Sequence, residues 1–189
     1  MSTGEWIGVA LAVVIVAIVL LLVAARAASA RRRAHLQERF GPEYDRTVEA
    51  GASRGDAEKT LAEREREREG LDVKPLSAAA QQRFLADWRG VQQRFVDDPE
   101  TAATEAEQLV RRVMRERGYP TDEGQSRRAD VMSVDHPEVV DRYRNGCDAL
   151  ATRSGGSEER TENLRRAMVD FRIVFETLLD GDRDLSAVR

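Results

Sequence analysis

The feature that most constrains this chain is the unbroken apolar run from Trp6 to Ala25, followed at once by Arg26 and by Arg31, Arg32 and Arg33. A helix of that length rises about 30 Å, the thickness of a bilayer's hydrocarbon core. The run holds no charge and no proline, and Ile, Leu and Val supply 13 of its residues. At about −0.3 to −0.6 kcal/mol for each of these, insertion is favoured by roughly 4 to 8 kcal/mol. A soluble helix is rarely apolar all round over such a length. The run predicts a single membrane-spanning helix over residues 6–25, with residues 1–5 as a short N-terminus outside the cell.

Orientation follows from the four arginines. Basic residues after the span, with no Lys or Arg before it, hold the C-terminal side in the cytoplasm. Arg26, Arg31, Arg32 and Arg33 are therefore the candidate topology and membrane-surface residues. They also suit contact with anionic inner-leaflet lipids, at about 1 kcal/mol per residue near the surface. A second reading is a cleaved signal peptide, since Ala28-Ser29-Ala30 has the small-residue form of a cleavage site. The absence of Lys and Arg from Met1 to Glu5 and the length of the run favour a retained anchor over that secreted alternative. Gly4, Gly8 and Ala12 fall four apart on one face, a pattern that lets two anchors pack as a homodimer.

The remainder is polar. The chain is 34% charged and 5% aromatic, with a net charge of −4. That balance argues against nucleic acid as a partner, because phosphate binding needs a net basic face. Arginine outnumbers lysine 28 to 2. Cys147 is the only cysteine, so there is no internal disulfide and no thiolate-rich zinc site, and a buried structural thiol is the expected role.

Glycine and proline divide the rest into helices. Gly41-Pro42-Glu43, Asp98-Pro99-Glu100 and His136-Pro137-Glu138 share one form of helix start: proline at the first helical position, with glutamate against the positive end of the helix dipole. A helix from about Arg31 to Phe40, continuing the anchor, precedes a short one ending near Ala50. Asp56 opens a third helix ending near Gly70. Its alternating Glu63–Glu69 stretch has almost no apolar face and reads as an exposed spacer. Residues 26–76 thus form a basic juxtamembrane and spacer region, closed by a linker from Leu71 to Leu76.

Residues 77–181 carry the apolar stripes. Ser77 caps a helix with Phe84, Trp88, Val91 and Phe95 on one face. Pro99 to Arg117 presents Ala106, Leu109, Val110, Val113 and Met114, and the short turn between these helices predicts an antiparallel hairpin. Thr121 to Ser133 reads as polar loop with a short helical turn. A helix from Pro137 to about Thr152 turns Val140, Tyr143, Cys147 and Leu150 inward, and Gly155-Gly156 breaks it. The last helix, from Ser157 to about Asp180, carries Leu164, Met168, Phe171, Phe175 and Leu178. The expected fold is all-α: an N-terminal transmembrane helix, a helical spacer and a small antiparallel helical bundle, with residues 182–189 as a disordered tail.

A search for chemistry is negative. No HExxH, phosphate-loop, GxSxG or CxxC pattern occurs. His35 lies beside the arginines in a solvated setting, and His136 suits a turn or cap. Asp180-Gly181-Asp182-Arg183-Asp184 imitates the start of a calcium loop but puts Leu185 where that loop needs glycine. No catalytic residue, cofactor or metal ligand is assigned.

At RFGPEYDR (39–46), FVDDP (95–99), LVRRVMRERGYP (109–120) and LRRAMVDFR (164–172), the chain resembles a group of uncharacterised single-pass membrane proteins of high-GC Gram-positive bacteria. The resemblance covers most of the soluble part and implies the same architecture, with no activity, cofactor or site. The expected function is a membrane-tethered cytoplasmic helical module that binds another protein. The alternatives are a small-ligand sensor or enzyme without a recognisable site, and a helical protein released by cleavage near Ala30.

Overall fold

The computed structural model describes residues 3–51, 53–122, 124–152 and 156–180, and within the first 13 residues it describes only the Leu11 side chain. The expected disordered tail, the calcium-like stretch beyond Asp180, Gly155, and the side chains of the Gly4/Gly8/Ala12 face lie outside the described residues. The described residues form helices and no strand: α1 (Thr3–Phe40), α2 (Pro42–Ala50), α3 (Arg54–Glu69), α4 (Ala78–Arg94), α5 (Pro99–Arg117), α6 (Gln125–Asp135), α7 (Val140–Ala151) and α8 (Ser157–Asp180). The all-α expectation holds. The chain divides into two compact units, Met1–Arg39 and Phe40–Arg189.

In the first unit, α1 runs without a break through the apolar stretch and the arginines. Among the described residues it is the one helix long and apolar enough to cross a membrane, and its side chains from Val14 to Ala34 are exposed.

In the second unit the stripes close a core. Phe84, Trp88 and Val91 of α4, all five expected residues of α5, and Leu164, Met168, Phe171, Phe175 and Leu178 of α8 are buried together. The Trp88 and Phe175 rings stack with centroids 4.8 Å apart. α4 and α5 form the expected hairpin, while α8 packs on both α5 and α7. Phe95 and Leu150, at the ends of their stripes, are only half-buried against this core.

Two glycines are dictated by contact. Gly118 ends α5 at φ +98°, and a Cβ there would lie 2.3 Å from the Asp72 carbonyl oxygen. This close approach seats the 71–76 linker, whose Lys74 N–H donates to the Arg117 carbonyl at 2.9 Å. On α7, a Cβ at Gly146 would meet the Phe171 ring at 2.9 Å. Glycine there lets α7 and α8 approach closely.

Three sequence expectations are corrected. Residues 121–133 are not mainly loop: α6 occupies Gln125–Asp135 and buries Ala129, Val131, Met132 and Val134. Helix α7 starts at Val140, not Pro137. Here His136 closes α6, its N–H donating to the Met132 carbonyl at 2.9 Å, so the chain turns through 137–139 before it restarts. Finally, α3 is not an exposed spacer. It packs on α2 and α6 within the compact unit and buries Ala57, Leu61 and Ala62.

Candidate functional site

The packing of α3 is explained by charge. Gly41, at φ +46°, turns the chain out of α1 into α2, where Pro42 occupies the first turn and Glu43 points inward. Glu43, expected to complement the helix dipole, is 2% exposed. Its carboxylate accepts Arg144 Nη1 at 2.6 Å and Nη2 at 2.8 Å, a fork-to-fork pair with α7. Arg64 Nη1 of α3 donates to the same carboxylate at 2.8 Å. Asp130 of α6 then lies 2.7 Å from Arg64 Nη2 and 3.5 Å from Arg144 Nη2. Two acids and two arginines from four helices alternate around a closed ring.

The ring continues at both ends. Arg46 of α2 pairs with Asp141 of α7 at 2.8 Å. Glu67 of α3 pairs with Arg127 of α6, and Arg68 of α3 with Asp135 of α6. Asp135 also accepts the Tyr119 hydroxyl at 2.6 Å. The whole forms a seam of ion pairs between the α2–α3 layer and the α6–α7 face.

The electrostatics of Glu43 fit this geometry. Burial alone would push its carboxyl pKa up, but the Arg144 and Arg64 guanidiniums outweigh burial and hold it below the ordinary carboxylate range. The carboxylate is ionised and accepts three guanidinium hydrogen bonds. Such a group clamps helices together, and being ionised it has no proton to give.

A second buried polar group lies where the seam meets the core. Arg128 of α6 donates to the Tyr143 hydroxyl at 2.7 Å and lies 3.5 Å from Glu107. Cys147 is nearby, and burial pushes its thiol up to about 12, which keeps it protonated at neutral pH. His136 is buried with no hydrogen bond at Nε2; burial lowers its pKa, and Arg117 acts in the same direction. His35, by contrast, is exposed. Among the described residues no three His, Cys, Asp or Glu side chains are grouped to hold a metal ion.

Comparison of the chain with protein-family models, curated proteins and solved structures finds no match. Geometry alone then speaks for the site.

The residues singled out from sequence lie elsewhere. Arg26, Arg31, Arg32 and Arg33 are exposed on α1 beyond its apolar stretch. Sequence reasoning missed Glu43, Arg64, Asp130 and Arg144. One signal for α3 was present: Ala57, Leu61, Arg64 and Arg68 recur at spacings of four, three and four, the spacing of a buried stripe. Its second half is cationic, so it was hidden inside the Glu/Arg alternation.

Proposed function

We propose that this chain is a single-pass membrane protein with its N-terminus outside and its helical unit in the cytoplasm, where that unit binds another protein. The observation that carries this reading is one long apolar helix running directly into Arg26, Arg31, Arg32 and Arg33. Basic residues on one side of a span favour that side remaining in the cytoplasm. Their exposure on α1 also suits contact with anionic lipids of the inner leaflet. The binding role is supported by the seam's chemistry, which clamps helices without offering a reactive group. Tethering raises the effective concentration of a weak interface near the membrane, so a modest contact suffices.

The test is topological. Reporters fused after Arg189, one active only inside the cell and one only outside, are compared in whole cells. Activity inside is expected. Activity outside overturns the cytoplasmic reading, and N-terminal sequencing then shows whether the chain is released near Ala30. In-cell crosslinking that recovers no protein with the tethered chain overturns the binding role.

A further inference from the structure

The two layers of the soluble unit are joined by different forces. The contiguous apolar cluster runs through α4, α5, α6, α7 and α8 and takes in Leu76 and Tyr119. Phe40, Tyr44, Ala57, Leu61 and Ala62 are buried but stand outside it. The link from α2–α3 to α6–α7 is rich in ion pairs, beside the buried Leu61 of α3 and Val134 of α6: Glu43 with Arg144, Arg64 with Asp130, Arg46 with Asp141, Arg68 with Asp135 and Glu67 with Arg127. A pair brought out of water regains little beyond its desolvation cost, whereas apolar area is a direct gain. The 71–76 linker, in contrast, is fixed to the end of α5 by the Lys74 hydrogen bond and by the seating of Asp72 against Gly118.

We propose that α2–α3 is a releasable strap. It opens from the α6–α7 face as one unit, between the Gly41 turn and the fixed linker, while α4, α5, α7 and α8 stay folded. Release uncovers Asp130, Asp135, Arg127 and Arg144 beside the already exposed Asp141 as one charged face and turns residues 41–70 into a flexible connection between α1 and the bundle. This opening is a property of the soluble unit and does not depend on which side of a membrane that unit lies.

Hydrogen exchange read by mass spectrometry on the full chain in mild detergent tests it. The expected result is that α2 and α3 amides exchange through an opening that leaves α5 and α8 protected. Raising NaCl from about 0.05 to 0.5 M speeds exchange in α2–α3 alone, because the outer pairs are partly exposed to screening. Glu43→Gln speeds it on the order of 1,000-fold, the ratio expected when a buried pair loses one partner, with α5 and α8 unchanged. Should that variant fold poorly, Arg68→Gln tests the same seam at a half-buried pair. One common rate for α2–α3, α5 and α8 in the unaltered chain overturns the proposal, as does equal acceleration of all four helices by either variant.

Discussion

Leu61 of α3 and Phe171 of α8 are both fully buried, but their surroundings differ. Phe171 sits in a contiguous apolar cluster built by every helix from α4 to α8. Leu61 shares its helix face with Arg64 and Arg68, whose guanidiniums reach Glu43, Asp130 and Asp135. The comparison teaches that burial alone does not rank stability. An apolar interface gains from every Å² removed from water, while a charged one gains only if every partner is in place. The bundle tolerates imperfect partners at the cost of a cavity, and the strap layer depends on a complete set of charges.

The sharpest way to break this comparison is at Phe171. Phe171→Ala is expected to cost about 3–5 kcal/mol. Loss of the α8 packing should lower the unfolding midpoint of the whole second unit, read by denaturant titration with circular dichroism. If instead α2–α3 unfolds and the bundle transition stays in place, the apolar cluster is not the unit's main support.

The seat of the linker gives the next effect. Gly118→Ala places a Cβ 2.3 Å from the Asp72 oxygen in a backbone with φ +98°. Left-handed strain costs about 1–3 kcal/mol before the clash is counted. The linker should lift from α5, and Lys74 should lose exchange protection. A variant as stable as the parent chain would show that the linker is not seated there.

Within the bundle, Gly146→Ala pushes a methyl into the Phe171 ring at 2.9 Å. Overpacking of about 1–3 kcal/mol is partly offset by roughly 1 kcal/mol of helix propensity. A net loss near 1 kcal/mol is expected in thermal unfolding. A gain in stability would mean that α7 and α8 can separate freely, contrary to a close-packed core.

How much of this was legible follows the same division. The stripes of α4, α5 and α8 are visible because each helix buries one face, and one-sided burial leaves a period of three to four residues. The cap Ser77 is visible because its chemistry is local, and its hydroxyl accepts the Ala80 N–H. Helix α6 was not visible because α3 and α7 pack against different sides of it, which leaves Arg128, Ala129, Val131 and Met132 buried with no single face. Helix α3 was not visible because its buried face is half cationic. Its partners, Glu43, Asp130 and Asp135, lie far away in the chain, and no local pattern pairs an arginine with a carboxylate on another helix. The four arginines of α1 were legible as a group because they follow the apolar run closely in the chain.

His136 sharpens the comparison where the two regions meet. It closes α6 and is buried with Nε2 unpartnered. Burial opposes its charging most and Arg117 from α5 next; Asp135 and Glu138 favour the charge, and Arg68 from α3 opposes it more weakly. The folded chain therefore holds it neutral below its ordinary value of 6.5. An unfolded chain binds the proton first as pH falls, so the stability His136 contributes is present above about 6.5 and is lost as pH drops toward its lower folded value. Glu43 works in a second window: its folded pKa lies below 4.5, so its contribution is present above that value and disappears in stronger acid. Two acid steps are expected, one from a group against the bundle and one from the clamp of the strap. Melting temperatures of the parent chain should fall between about pH 7 and 5.5, and those of His136→Gln should stay level there while keeping the later loss. A parent chain that is flat across the upper window would place His136 in a site open enough to charge without cost. The boundary between strap and bundle would then be wetter than its burial indicates.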